Sequence, residues 1–376
     1  MRLRPKVFFA LPYYTGSHKY WADNILKFGT FDYHLETMSG RHWKWRMQGS
    51  AIHLAEKYTS LNYKGHNHMD IVLCSTMMDV SLFKSISNCQ VPIVYYMHEN
   101  QLTYPFSESD TRKKEDFHYG FINFKSCLAS DLILFNSEFH RADFFDSLSK
   151  LLQRLPDYIN PASIVKQLFH KSQVNYVGVD FGAIEQILDK QPNNQRLITP
   201  TAPTLLWNHR WEHDKNPALF KDLIDYIDAQ NQDFHLILLG EDGNASSIKE
   251  DLIDKYKEKV LYAGYVKQKA DYYDLIKKAD LLPVTSNQDF YGLSVLEAMY
   301  LGVTPLLPQN RVYSEFLSES FYSAYYYSNV NHFLAQAMEL IINPSSDLNT
   351  SFLKNHLSYK TTARLESELS GLYLKK

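Results

Sequence analysis

The sequence predicts an α/β fold: two Rossmann-like domains, each on a parallel sheet, facing a cleft between them. Three observations carry this. Short apolar runs alternate with segments of helical spacing, the pattern of parallel strands joined by crossover helices. The alternation pauses at a polar, proline-spaced stretch, 191–203, and then restarts. A chain of 376 residues also exceeds what one small core organises comfortably. The expected division is residues 1–190, residues 200–357, and a helix over 358–376.

Composition narrows the function classes. Hydrophobic residues at 45% and charged residues at 22% are those of a soluble globular chain. Aromatics reach 14%, with 27 Tyr and 22 Phe; some can serve as stacking surfaces, although most must be core. A formal charge of −3 argues against a broad basic face that coats nucleic acid, while leaving room for a local basic patch. Cys74, Cys89 and Cys127 are too few and too scattered for a disulfide framework or a zinc cluster, so a reducing compartment is expected. The apolar run after Met1–Lys6 breaks at Pro12, short of a signal peptide, and no run approaches the ~20 apolar residues of a membrane span. The expected location is cytoplasmic, with no membrane and no obligate protein partner implied.

In the first half, Val7–Leu11 reads as a buried strand running into Pro12–Lys19 and then a segment with helical spacing at Trp21, Ile25 and Leu26. Gly16 in that turn would let backbone approach a ligand. Neither G-x-G-x-x-G nor a P-loop occurs here, so dinucleotide and ATP readings lose support. Ser39–Arg46 interleaves Trp43 and Trp45 with Arg41, Lys44 and Arg46. Such a mixture suits base stacking with phosphate contacts; the other reading is a helix start with core indoles and solvated cations. Ile71–Ser75 and Ile93–Met97 are further strands. The second ends in His98-Glu99-Asn100-Gln101, a polar cluster in which His98 is the candidate hydrogen-bond donor or proton carrier. Past a loop at Pro105, Glu115–Gly120 opens a helix over Phe121–Leu128, with Asp116 and Tyr119 either facing a ligand or capping and packing. Leu132–Phe135 is a strand, Pro156–Pro161 a loop, and Val174–Asp180 the expected last strand of this half.

The second half offers strands at Leu205–Trp207, Leu236–Gly240, Val260–Gly264 and Leu281–Val284, with helices around Leu219-Leu223-Ile227 and Tyr272-Ile276. In an open parallel sheet, ligands bind at the carboxyl ends of the strands. Arg210 and Lys215 lie five apart in the loop after the first of these strands, the type of cation pair that neutralises a pyrophosphate. After the last come Asp289, Gly292 and, eight residues past Asp289, the helical Glu297. A carboxylate there accepts two sugar hydroxyls, and a helix N-terminus offers N–H groups to an anion.

The stretch Asp289–Ala298 resembles the E-x7-E element of retaining glycosyltransferases of the two-Rossmann (GT-B) fold, family 4. More narrowly, five patches resemble the tRNA-queuosine α-mannosyltransferases: Gly16-Ser17-His18-Lys19, Trp43-x-Trp45-Arg46, His98-Glu99-Asn100-Gln101-Leu102-x-Tyr104-Pro105, Asp116-Phe117-x-Tyr119-Gly120, and His209-Arg210-Trp211-Glu212-His213-Asp214-Lys215. The resemblance implies transfer of mannose from GDP-mannose, with retention, to the cyclopentenediol of queuosine in a tRNA anticodon, with tRNA-Asp expected. By that resemblance Glu297 holds the donor ribose, Arg210 and Lys215 the diphosphate, and Asp289 with the backbone of Phe290, Tyr291, Gly292 and Leu293 the hexose and its phosphate. Gly16 and Gly240 also fall on the donor side, and His98 contacts the transferred sugar. Ser17, His18, Lys19, Trp43, Trp45, Arg46, Glu99, Asn100, Gln101, Lys113, Asp116 and Tyr119 are the acceptor side. A local basic patch would combine Arg41, Lys44 and Arg46 with Arg112, Lys113 and Lys114. The fold also commonly packs its last helix back on the first domain.

Asp289 departs from the pattern, which usually has glutamate there. No Asp-x-Asp triplet occurs, so no metal cofactor is expected; leaving-group charge then falls on Arg210, Lys215 and helix N–H groups. No carboxylate nucleophile stands out, which favours front-face attack through a short-lived oxocarbenium ion. The competing readings are a related transferase using another sugar nucleotide on a lipid or small-molecule acceptor, and a non-catalytic RNA-binding protein on the same fold.

Overall fold

A computed structural model describes residues 4–63, 68–105, 117–156, 160–190, 202–344, 348 and 350–374. The chain forms two units, Met1–Gly178 with His356–Lys376, and Val179–Asn355.

The first unit is built from β1 (Lys6–Tyr14), α1 (Gly16–Phe28), β2 (Asp32–Ser39), α2 (Trp43–Tyr63), β3 (Ile71–Ser75), α3 (Val80–Ser87), β4 (Ile93–Met97), α4 (His118–Ala129), β5 (Leu132–Phe135), α5 (Glu138–Leu152), α6 (Pro161–His170) and β6 (Ser172–Val174). Its strands are all parallel, in the order β2-β1-β3-β4-β5-β6. Every residue of β3, β4 and β5 is buried, as helices on both faces require. Register is set by these runs: Val7 lies opposite Ile71, Val72 opposite Ile93, and Val94 opposite Leu132. Side-chain caps start three helices, with Asp79 accepting from the Leu82 N–H, Ser137 from His140 and Asn160 from Ser163. Strand order reverses between β1 and β3, so the loops leaving β1, β3 and β4 converge on one edge.

The helix Ser358–Tyr373 belongs to this unit and packs on α1. Glu366 fastens it: its carboxylate accepts from Thr30 N (2.5 Å), Thr30 Oγ1 (2.8 Å), Phe31 N (3.0 Å) and Tyr33 OH (3.0 Å). Asn175 donates from Nδ2 to the Thr361 carbonyl at 3.0 Å. That bond explains a correction. The last strand is Ser172–Val174, not Val174–Asp180, because Asn175 turns the chain toward this helix and Gly178 follows at φ +78°.

The second unit holds α7 (Phe181–Asp189), β7 (Thr204–Trp207), α8 (Pro217–Ala229), β8 (His235–Leu239), α9 (Ser246–Lys255), β9 (Val260–Gly264), α10 (Lys269–Lys277), β10 (Leu281–Pro283), α11 (Leu293–Tyr300), β11 (Thr304–Pro308), β12 (Tyr326–Tyr327) and α12 (Val330–Ile342). The parallel order β12-β11-β10-β7-β8-β9 is that of a doubly wound dinucleotide-type sheet, with its reversal between β7 and β10. The sequence boundary near 190 therefore moves to Gly178/Val179. Helix α7 packs on α10, its Phe181 ring stacks on Tyr300 at 4.1 Å, and its Glu185 accepts from the Tyr300 hydroxyl. Most of the expected linker, 191–203, lies outside the described residues, as does part of the Pro156–Pro161 loop. No helix among the described residues is long and apolar enough to cross a membrane.

Candidate active site

At the switch point of the second unit, the loops leaving β7 and β10 bring Lys215 and Asp289 together. Lys215 Nζ lies 2.6 Å from Asp289 Oδ1 and 3.2 Å from Asp214 Oδ2, and donates to the Gln288 carbonyl at 3.3 Å. Asp289 Oδ2 accepts from the Tyr313 hydroxyl at 2.5 Å. Burial pushes the Asp289 carboxyl up, but the Lys215 charge and the hydrogen bonds from Lys215 and Tyr313 outweigh it, leaving it below the ordinary range. His209, buried beside the pair, shares its Nδ1 with Ser294 Oγ at 3.2 Å, while its Nε2 has no partner. Burial lowers its pKa to about 4, so it is neutral near pH 7. The charges of Asp289, Lys215, Asp214 and Arg210 all act on that ring. Arg210 itself is exposed on the loop.

The turn from β10 into α11 is made possible by Gly292 at φ +82°, where a Cβ would also meet the Tyr313 ring at 3.0 Å. Phe290 and Tyr291 are buried before it, and Leu293 begins the helix. One turn on, Glu297 is buried, with Tyr273 OH 3.2 Å from Oε1, Tyr272 OH 3.3 Å from Oε2, and Lys269 Nζ 4.0 Å from Oε1. Burial raises its pKa; Lys269 and the two phenols offset part of that rise. Gly240 is glycine for a backbone reason: at φ +102°, a Cβ would lie 1.9 Å from the His209 carbonyl oxygen. That packing holds the loops after β7 and β8 against each other. A cavity of about 350 Å³ opens beyond β9 and along α10, lined by Tyr262, Tyr265, Val266, Lys267, Gln268 and Asp271. Glu212, His213 and Asp214 bring three potential ligand atoms within 4.8 Å, but Asp214 already pairs with Lys215.

At the edge of the first unit, His98 follows β4 and is buried, with neither ring nitrogen hydrogen-bonded. Its ring packs on His18 at 4.0 Å, Tyr96 at 4.7 Å and Trp21 at 4.9 Å. Burial, followed by the neighbouring His18 and His140, holds its pKa well below 6.5. His18 Nε2 lies 3.0 Å from Glu99 Oε2, and Thr76 Oγ1 donates to Glu99 Oε1 at 2.8 Å. Asn136 fixes the backbone here by donating to the His98 carbonyl at 2.8 Å, and His140 Nδ1 lies 2.8 Å from Asn136 Oδ1. Gly16, at φ +50°, starts α1, and a Cβ there would meet nothing within 4 Å.

The other expected residues of this unit have varied surroundings. Asn100 is fully buried, and its amide makes a local turn, accepting from Leu102 N and Thr103 N at 3.0 Å each and donating to Thr103 Oγ1 at 3.0 Å. These bonds give Asn100 a turn-forming role. Gln101 is half-buried, its N–H held by Asn123 Oδ1 at 2.9 Å. Ser17 is exposed, and Lys19 pairs with Asp23. Trp43 is half-buried against Tyr119 at 5.1 Å, whereas Trp45 is 74% exposed. Arg46 donates from Nε and Nη2 to Ser39 O and Oγ at 3.2 and 2.8 Å. Arg112, Lys113, Lys114, Glu115 and Asp116 lie outside the described residues.

Sequence reading missed Tyr272, Tyr273, Lys269, Tyr313 and the side chain of His209 as parts of this arrangement. Tyr313 comes from the segment after β11, whose approach to Asp289 has no local signature. Adjacent tyrosines one turn after a lysine were visible, but nothing in the sequence aimed them at Glu297.

Comparisons with known proteins fit this geometry. Residues 6–179 match the family described as tRNA-queuosine alpha-mannosyltransferase N-terminal, and residues 189–355 match glycosyl transferases group 1. A tRNA-queuosine alpha-mannosyltransferase of Drosophila melanogaster is 29% identical over 328 residues, covering 83% of this chain and 81% of that one. Among solved structures, OtsA in its apo form aligns with TM-score 0.65 at 13% identity, over 98% of this chain and 99% of the other. Sucrose-phosphate synthase from Thermosynechococcus elongatus gives TM-score 0.65 at 12% identity, over 99% and 100%. Fold and family together define a glycosyltransferase of the GT-B class. Within that class the chain belongs to the tRNA-queuosine alpha-mannosyltransferase family.

Proposed function

We propose that this enzyme transfers mannose from GDP-mannose, with retention, to the cyclopentenediol of queuosine in a tRNA anticodon, with tRNA-Asp the expected acceptor. The observation that carries the donor half is the Lys215–Asp289 pair at 2.6 Å on the β7/β10 switch point, with Arg210 on the same loop and Glu297 one helix turn further. Each Asp289 oxygen holds one donor, from Lys215 or Tyr313, and an ionised carboxylate has lone pairs left for a hexose hydroxyl. Arg210 and Lys215 take the diphosphate, and Glu297 takes the ribose. The cavity beyond β9, with Tyr265 57% exposed at its wall, suits a nucleobase.

In this reading the glycosidic C–O bond to the diphosphate breaks as the queuosine hydroxyl attacks the same face. The hydroxyl proton passes to the departing phosphate oxygen, and the cations stabilise the charge left there. His98, neutral and with unpartnered nitrogens, donates to a hydroxyl of the transferred sugar. Asp289 carries one methylene less than the usual glutamate, which bears on which hexose hydroxyl it reaches. No metal cofactor is invoked. On the acceptor side, the exposed Trp45 with Arg41, Lys44 and Arg46 supplies a stacking ring among cations. Three buried free thiols, Cys74, Cys89 and Cys127, suit a reducing, cytoplasmic location.

The test is transfer of label from radioactive GDP-mannose to bulk tRNA prepared from cells with and without queuosine. Label on queuosine-containing tRNA alone is the expected result. Label on both preparations overturns the acceptor, and label on neither overturns the donor–acceptor pairing.

A further inference from the structure

Glu297 is the carboxylate of the donor site whose surroundings the family resemblance did not describe. Its two oxygens are each met by a different phenol from consecutive residues of α10: Tyr273 at 3.2 Å on Oε1 and Tyr272 at 3.3 Å on Oε2. Consecutive helical residues point about 100° apart, so two side chains that reach one carboxylate must bracket it from both sides. The rings lie 5.3 Å apart at 59°, and Lys269 Nζ sits 5.1 Å and 5.4 Å from their centroids and 4.0 Å from Oε1. Lys269 is the one cation paired with this carboxylate among the described residues.

We propose that Tyr272 and Tyr273 are positioning residues of the donor site, aiming the Glu297 carboxylate so that each oxygen keeps a lone pair for one of two neighbouring ribose hydroxyls. This rests on the reading of Glu297 as the ribose acceptor. A carboxylate offers roughly four lone-pair sites; two phenols occupy one on each oxygen, and a vicinal diol fits the remaining pair. The bracket fixes the rotation of the carboxyl group, which a single partner would leave free. It also keeps the group ionised. A buried carboxyl is driven toward its neutral form, which would present a donor where an acceptor is required, and Lys269 with the two phenols counters that drive.

The experiment is calorimetric titration of GDP and of 2′-deoxy-GDP, between pH 6 and pH 8.5, into wild-type enzyme and the Y272F, Y273F and Y272F/Y273F variants. Phenylalanine keeps each ring, and Y272F concerns the less buried ring, so it serves if Y273F fails to fold. The expected double variant binds GDP about tenfold more weakly than wild type, with the gap wider at pH 6 than at pH 8.5, because loss of the two phenols leaves the burial of the Glu297 carboxyl less opposed. With 2′-deoxy-GDP, which offers one hydroxyl fewer, the gap between wild type and variants shrinks. Equal weakening of both nucleotides, a pH profile parallel to wild type, or no change at all overturns the proposal. Wild-type enzyme that binds no GDP overturns the donor reading itself, and this inference with it.

Discussion

The carboxyl edges of the two sheets solve opposite problems. On the first, His98 is buried with both ring nitrogens unpartnered. On the second, each oxygen of Asp289 and Glu297 has a partner: Lys215 and Tyr313 for one, Tyr273 and Tyr272 for the other. The difference follows from charge. A neutral imidazole left without hydrogen bonds costs a few kcal/mol, which a fold can carry at a functional position. An ionised carboxylate left bare inside a protein costs far more, so its partners must be in place before the substrate arrives. The second edge is therefore preassembled, while the first keeps a polar group in reserve.

The largest expected effect comes from breaking the assembled edge. Asp289→Asn removes the charge 2.6 Å from the buried Lys215, leaving Asp214 at 3.2 Å and the Gln288 carbonyl at 3.3 Å beside it, and removing one member of a buried pair costs about 3 kcal/mol. Transfer rate should fall by about 10²- to 10³-fold, as for loss of a preorganised electrostatic contact. Urea unfolding with initial-rate assays measures both. A stability change under about 0.5 kcal/mol would class the pair with exposed salt bridges and dissolve the contrast.

His98→Phe tests the other edge, with the opposite sign on stability. The substitution keeps an aromatic ring among Trp21, Tyr96 and His18 while removing two unpartnered nitrogens. Unfolding free energy should stay level or rise by about 1 kcal/mol. Transfer should nevertheless fall about 10²-fold if His98 donates to the reacting sugar as proposed. A variant that loses stability as well as activity would make His98 an ordinary packing residue.

The same neutrality sets a pH dependence. Burial lowers the pKa of His209 to about 4, His140 to about 3 and His356 to about 4, and holds His98 well below 6.5. Unfolded, each histidine titrates near pH 6.5, so below that pH the unfolded chain binds more protons than the native one. Stability is then fully present above about pH 6.5 and declines by up to ~1.4 kcal/mol per pH unit for each histidine, until the folded pKa is reached. Urea midpoints at pH 7.5 and 5.5 should separate clearly. His140→Asn and His209→Asn should each flatten the slope, and a slope unchanged in both would remove buried histidine as its cause.

Much of the scaffold could be read from residue patterns because it rests on local rules. Ile71–Ser75, Ile93–Met97 and Leu132–Phe135 are apolar runs buried on both faces, and each is a strand in the structure. Strands that break those rules were missed. β2, Asp32–Ser39, is a half-exposed edge strand rich in polar residues, and β11, Thr304–Pro308, contains two prolines that argue against a strand interior. At the candidate site, His98 stood out because it directly follows a strand, and Lys215, Asp289 and Glu297 because they lie in the loops and the helix that leave strand ends. What encloses them did not, since Tyr313 meets Asp289 across 24 residues and Tyr272 meets Glu297 across 25. A pairing of that range is made by the tertiary fold and leaves no spacing to read. Asn100, a polar residue in the same run as His98, serves its own turn, which the composition of the run alone does not reveal.

The smallest effect concerns α2, where the sequence left two tryptophans equivalent and the structure separates them. Trp43 is half-buried, packed on Tyr119 with Met47, Met77 and Ile122 nearby, whereas Trp45 is 74% exposed. An indole so exposed contributes little to the fold, so Trp45→Ala should change stability by less than about 0.5 kcal/mol. Stacking on an unpaired base is worth about 1–3 kcal/mol, so the same variant should raise the KM for tRNA roughly tenfold while GDP affinity stays as in wild type. Trp43→Ala should do the converse, lowering stability by about 2 kcal/mol through the cavity it leaves. Charge-neutralising Arg46 and Lys113 should weaken tRNA binding further without touching the donor, and in proportion to salt, as phosphate contacts do. If Trp45→Ala leaves the KM for tRNA unchanged, the acceptor lies elsewhere on this unit, and the exposed indole loses its place in the site.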